Sequence, residues 1–193
     1  MPDDSLPPWT RPSGGPARHG DKSARPIYEA IGRAVSNWEG AEVAALILFA
    51  ALTTDEKDIA NFSRTFSIRD RAIQLRRAAS SLPFSEGNNK EVANLKVEIE
   101  ALVDAYEGWS ERRNDVAHGC VTPMWSPDYA NPECPTVRTF SVCPSHANKK
   151  KWFAGDPIYN LNASEIRAFA RAFVVLDKQF EQMAKRVRAV TAV

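Results

Sequence analysis

Residues 109–119 read Trp109-Ser110-Glu111-Arg112-Arg113-Asn114-Asp115-Val116-Ala117-His118-Gly119, a charged run at the foot of an amphipathic stretch. Upstream of it, Val92, Leu95, Ile99, Leu102, Val103, Tyr106 and Trp109 recur at steps of three and four, the spacing of one face of an α-helix. That face is expected to be core. Gly119 stands where glycine usually does, just past a helix end. The expectation is a long helix whose last turns carry Arg112, Arg113, Asn114 and Asp115 and then reach His118.

A plain structural role accounts for part of this. Basic groups in a last helical turn meet the negative end of the helix dipole and its unpaired carbonyls. Arg113-Asn114-Asp115-Val116-Ala117-His118 adds something further: a fixed cation, an amide and the side chain that titrates near neutrality fall within six consecutive positions. Such a set suits phosphate chemistry.

These residues also resemble the signature of the HEPN domains, an Arg followed by a polar residue and, a few positions on, a His; Arg113 to His118 fits it as Arg-x4-His. Trp38-x-x-x-Glu42 is similar to the first-helix pattern of the same group. The resemblance implies four helices with the motif at the end of the third. It implies a metal-independent endoribonuclease without a cofactor, often the toxin of a toxin–antitoxin pair or a defence nuclease. Such proteins work as homodimers with both motifs at the shared interface. Some relatives are inactive and only bind.

A chain of 193 residues with 44% apolar content can bury one good core, and 25 basic against 24 acidic side chains leave it near neutral. Near neutrality argues against a surface built throughout to coat nucleic acid, so any RNA contact is expected to be local. Cys120, Cys134 and Cys143 form no C-x-x-C pair and read as free thiols. No signal-peptide pattern and no apolar run of membrane-span length is read, so a cytoplasmic location is expected.

Met1 to Arg25 holds five prolines and three glycines and is expected to be a disordered tail. Pro26 suits a first helical position, and Ile27, Ile31, Val35, Trp38, Ala45, Leu46, Phe49 and Leu52 trace an apolar stripe after it. Glu42 falls on that stripe, where a carboxylate is costly unless paired; an Arg near the motif is the expected partner, and a Glu reaching water at the rim is the alternative. A second, more basic helical region follows, with Phe62, Phe66, Ile73 and Leu75 as candidate core residues, and Pro83 to Asn89 reads as a turn.

After Gly119 come short β-type runs, Val121 to Trp125, Val137 to Val142 and Lys151 to Phe153. Lys149, Lys150, Lys151 and Trp152 interleave charge with an aromatic face, a composition that binds single-stranded nucleic acid, although a solvated loop explains it as well. His146 lies in the same loop. Asn162-Ala163-Ser164-Glu165 resembles a capping box, and Ile166, Phe169, Phe173, Leu176, Phe180, Met183, Val187 and Val190 carry a last apolar stripe. The expected fold is all-α: a four-to-five-helix up-and-down bundle, a single domain over 26–193, with a small β-like or irregular insertion at about 120–160 between the third and fourth long helices.

The chemistry follows from the residues. RNA supplies its own nucleophile, the ribose 2′-hydroxyl, so a protein need only move protons and stabilise the charged phosphorane. His118 suits proton transfer, Arg113 suits the phosphate oxygens, and Asn114 suits orienting the histidine or a phosphate oxygen, with Glu42 and Asp115 in support. Arg112, Lys149, Lys150, Lys151 and Trp152 are candidate RNA contacts. No carboxylate cluster stands at metal-ligand spacing. On a continuous helix five positions turn the chain about 140° past a full circle, so Arg113 and His118 share a site only if the helix breaks before His118 or a second subunit completes it. Expected partners are RNA, a second copy of the chain and an antitoxin protein, with no membrane. The competing reading is a non-catalytic helical module of the same fold that binds RNA, nucleotide or a protein.

Overall fold

The computed structural model describes residues 7–11, 20–82, 89–127, 136–153 and 156–191. Most of the Pro/Gly-rich tail, most of the turn read at Pro83–Asn89, and Cys134 lie outside the described residues. Most of the chain is helical: α1 (Arg25–Leu52), α2 (Glu56–Arg64), α3 (Ile68–Ser80), α4 (Asn89–Ala117) and α5 (Ala163–Thr191). Between α4 and α5 lie an antiparallel hairpin, β1 (Gly119–Pro127) and β2 (Thr136–Pro144), a single 3-10 turn over Lys149–Lys151, and the two-residue strands β3 (Trp152–Phe153) and β4 (Asp156–Pro157). The helical class and the β excursion before the last helix agree with the sequence. The chain divides into two compact units, Met1–Asn37 with Glu111–Arg171, and Trp38–Ser110 with Ala172–Val193.

The described secondary-structure elements of the second unit are all helices. On α4 the whole expected stripe from Val92 to Tyr106 is buried, and on α5 Phe173, Leu176, Phe180, Met183 and Val187 are buried too. Each such side chain contributes about 1.5–3 kcal/mol by leaving water. Trp38 is the aromatic centre: its ring stacks on Tyr106 (5.3 Å, 7°) and meets Phe173 edge-on (5.2 Å, 75°). Tyr106 in turn meets Phe180 edge-on at 5.5 Å.

The structure departs from the sequence expectations in several places. The second helical region is two helices, because Asp55 and Ser67 each cap a helix start, accepting from the Lys57 and Asp70 amides. Phe66 falls in the connection between α2 and α3 and is 96% exposed, and Ile73 is exposed, so neither is core; Phe62 and Leu75 are. On α1, Ile31, Val35, Leu46 and Leu52 are half-buried, while Ala30, Ala34, Ala41, Ala44 and Leu48 take the deepest positions. The apolar residues of α1 spread over more than one face, and alanine permits the closest approach. That spread also makes α1 long and apolar enough, by length and composition, to cross a membrane, against the expectation that no segment is. A core helix passes the same test, and nine of its apolar side chains are fully buried in the two units.

In the first unit β1 and β2 pair in continuous register from Gly119 opposite Pro144 to Pro127 opposite Thr136. The outer edge of β2 is also paired: Phe140 exchanges backbone hydrogen bonds with Asp21 (2.9 and 2.7 Å), and Val142 with Leu161 (2.8 and 2.9 Å). Arg138 lies across from Trp125, its guanidinium over the Trp125 and Phe140 rings. The capping box forms as read: Glu165 N–H donates to Asn162 Oδ1 (3.0 Å) and Asn162 N–H to Glu165 Oε2 (2.8 Å). Asp21 adds a third tie, its Oδ2 accepting from Ala163 N–H at 2.7 Å. The expected disordered tail is thus corrected at Asp21, which is built into both sheet and helix cap.

Candidate functional site

α4 stops at Ala117, and His118 is the first residue beyond it. Its backbone N–H still donates to the Asn114 carbonyl at 3.0 Å, so helical bonding runs to the motif's end while the imidazole is exposed. Gly119 makes the turn into β1 possible: a Cβ there would collide with Val142 Cγ1 and with the Asp115 carbonyl. α4 ends at Ala117 and the chain turns at Gly119 into β1, one of the two arrangements the sequence left open for Arg113 and His118 to share a site.

Arg113 is half-buried and its Nη1 donates to Asn114 Oδ1 at 3.3 Å; Asn114 itself is exposed. Arg112 and Asp115 turn inward, each about 1–2% exposed. Arg112, read from sequence as a candidate RNA contact, is held inside through Nη2 to Asp115 Oδ2 (3.3 Å) and Glu111 Oε2 (3.0 Å). Burial, the largest effect, pulls its pKa below the ordinary arginine range, opposed by Asp115 and assisted by the charge of Arg11. Its Nε and Nη1 have no hydrogen-bond partner among the described residues.

Asp115 is the knot of this end of α4. Arg11 grips it with both prongs, Nε to Oδ2 at 2.9 Å and Nη2 to Oδ1 at 3.0 Å, and Lys151 Nζ stands 3.5 Å from Oδ1. The Tyr159 hydroxyl donates to the Asp115 carbonyl at 3.1 Å, and its ring receives Arg11 and Lys151 on its face (5.3 and 5.7 Å). Burial lowers the Arg11 pKa, but the hydrogen bond and charge of Asp115 outweigh it and the net shift is upward. Burial, with the charge of Asp115, raises that of Tyr159. Three cations, Arg11, Arg112 and Lys151, thus gather on the buried Asp115 carboxylate, with Glu111 a second anion on Arg112. Arg11 and Tyr159 carried no signal in the sequence: one sits in a proline-rich stretch, the other between two elements.

Of the remaining candidates, Lys149 and Lys150 are exposed and Lys151 is drawn to Asp115. Trp152 stacks on His146 (4.2 Å, 19°) and donates its indole N–H to the Ser145 carbonyl at 3.3 Å. Glu42 belongs to the second unit, where it accepts from the Trp38 indole (2.7 Å) and from Arg71 Nη1 (2.8 Å). It is ion-paired as its stripe position required, but the cation comes from α3 rather than from the motif. Arg71 also donates through Nε to the Thr65 carbonyl at 2.6 Å and lies against Tyr106. Among the described residues no three His, Cys, Asp or Glu side chains are grouped to hold a metal ion. No family model matches the chain, and no curated protein or solved structure matches it.

Proposed function

We propose that this chain is a metal-independent endoribonuclease of the HEPN type, a helical bundle that works in the cytoplasm as a homodimer and serves as the toxin of a toxin–antitoxin or defence system. The observation that carries the reading is that His118 is exposed directly after α4, at the helix end that also carries the hydrogen-bonded Arg113–Asn114 pair and the Arg11 and Lys151 cations on Asp115.

In this mechanism His118 takes the proton of the 2′-hydroxyl as that oxygen attacks phosphorus. Arg113 stabilises the phosphorane oxygens through its guanidinium N–H donors. Asn114 orients the Arg113 guanidinium, to which it is already hydrogen-bonded. The products are a 2′,3′-cyclic phosphate and a 5′-hydroxyl. Asp115 and Arg112 hold the last turn of α4 in place, and Lys149 and Lys150 are available to the RNA backbone.

The test is incubation of the purified protein with single-stranded RNA and a metal chelator. Cleavage with cyclic-phosphate ends is expected; a requirement for added magnesium overturns the mechanism. The inward ties of Arg112 and Asp115 favour a second reading, a module whose motif is structural and whose basic face only binds. RNA binding without cleavage is its signature.

A further inference from the structure

Cleavage by the 2′-hydroxyl route needs two proton transfers, one from the attacking 2′-oxygen and one to the departing 5′-oxygen. Arg113 can make neither, since its guanidinium does not give up a proton in proteins. The chain has three histidines, and the two described ones, His118 and His146, come to the same end of the hairpin.

Two tethers place them there. Gly119 pairs with Pro144, so His118, just before β1, and His146, just after β2, flank the same rung. One interstrand spacing and three Cα steps put an upper bound of roughly 17 Å on their Cα separation, a gap that two imidazoles turned toward each other can span around one phosphodiester. The other end of the His146 loop is fixed to the same helix end, by Lys151 on the Asp115 carboxylate and Tyr159 on the Asp115 carbonyl.

Between these tethers the loop is compact. Asn148 N–H donates to the Ser145 carbonyl, Ala147 N–H to Ser145 Oγ, and Lys151 N–H to the Asn148 carbonyl. His146 is exposed, with its ring plane set by the stack on Trp152. Lys149 and Lys150, exposed in the same loop, supply positive charge for the RNA backbone.

We infer that His146 is the second proton-transfer group of the RNA-cleaving site, an inference that rests on the ribonuclease reading above. His118 accepts the 2′-hydroxyl proton as the 2′-oxygen to phosphorus bond forms. His146, as imidazolium, gives its proton to the 5′-oxygen as the phosphorus to 5′-oxygen bond breaks. The substrate class is single-stranded RNA with any leaving nucleoside.

A change of leaving group tests this, because a 4-nitrophenolate needs no proton to depart. His146→Asn and His118→Ala are assayed on single-stranded RNA and on uridine 3′-(4-nitrophenyl phosphate), with circular dichroism to verify folding. His146→Asn is expected to lose about 10²-fold or more on RNA and to return within a few-fold of wild type on the nitrophenyl ester. His118→Ala is expected to remain impaired on both. His146→Asn with wild-type RNA cleavage overturns the inference and leaves the ribonuclease reading standing. Equal impairment on both substrates also overturns it, reducing His146 to a loop-positioning residue. A wild-type protein that cleaves neither substrate removes the ribonuclease reading itself.

Discussion

Arg11 forks onto Asp115 across 104 residues of sequence, with Nε and Nη2 donating to the two carboxylate oxygens at 2.9 and 3.0 Å. The described segment 7–11 is thereby fastened to the helix end that carries the candidate site. Asp115 also balances Arg112, which is 2% exposed and has no other buried anion beside it among the described residues. Asp115→Ala is expected to destabilise the protein by about 3–5 kcal/mol, because a buried cation loses its partner. Arg11→Ala, whose side chain is 30% exposed, should cost less, about 1–2 kcal/mol. Arg112→Met in the Asp115→Ala background should recover part of the loss by removing the stranded charge. Urea unfolding measures all three, and an Asp115→Ala midpoint equal to wild type would refute the argument.

Local rules reached far in this chain, and contacts distant in sequence did not follow from them. The α4 and α5 stripes and the capping box at Asn162 rest on spacing and on residues a few positions apart, so they could be read directly, whereas the hairpin was legible only as β-type runs whose pairing stayed open. The Arg11–Asp115 pair has no periodic trace, and the composition around Arg11 argued against any order there. Glu42 shows the division within one residue: its place on an apolar stripe demanded a cation, but which cation depended on how α3 packs. At the motif, the type of residue was legible and its direction was not. Neighbouring arginines 112 and 113 differ only in which side of the last turn they occupy, and that decides that Arg112 is buried.

Glu42 gives a second stability prediction. Its carboxylate accepts from the indole of Trp38, which is fully buried, and from Arg71. Glu42→Ala leaves both donors without it and is expected to cost about 1–3 kcal/mol. Glu42→Gln retains an acceptor for one of them and should cost less. Thermal unfolding of the two variants checks the order; equal midpoints for Ala and Gln would show that the acceptor is immaterial.

The cysteines differ in reactivity for a physical reason. Cys143 is fully buried on β2, and burial pushes its thiol up to about 11, whereas Cys120, opposite it on β1, is exposed. The thiolate is the nucleophile, so at pH 8 only about 10⁻³ of Cys143 is reactive, and that fraction rises tenfold per pH unit until the pKa is reached. Iodoacetamide followed by peptide mapping should label Cys120 well before Cys143 in the folded protein and erase the difference in urea. Equal rates in the native state would contradict the burial.

The motif itself separates catalysis from folding. His118 is exposed, so His118→Ala should leave stability within about 0.5 kcal/mol of wild type while removing about 10²–10⁴-fold of RNA cleavage if it moves the proton. Arg113→Ala should act similarly on cleavage. Arg113→Lys is the sharper probe: it keeps the charge and loses the planar fork, so an enzyme that holds phosphate through two parallel hydrogen bonds stays badly impaired, while a mere helix-end cation tolerates the change. Retention of wild-type cleavage by His118→Ala would sink the proposed mechanism. Mixing the inactive Arg113→Ala and His118→Ala proteins then asks whether the site is shared between subunits. If Arg113 of one copy works with His118 of the other across a two-fold axis, one of the two sites in each heterodimer is intact and partial activity returns, at most about half of wild type in a fully heterodimeric sample. If each chain carries a complete site, no mixture recovers activity, and the turn between Ala117 and Gly119 must by itself bring His118 to its own Arg113.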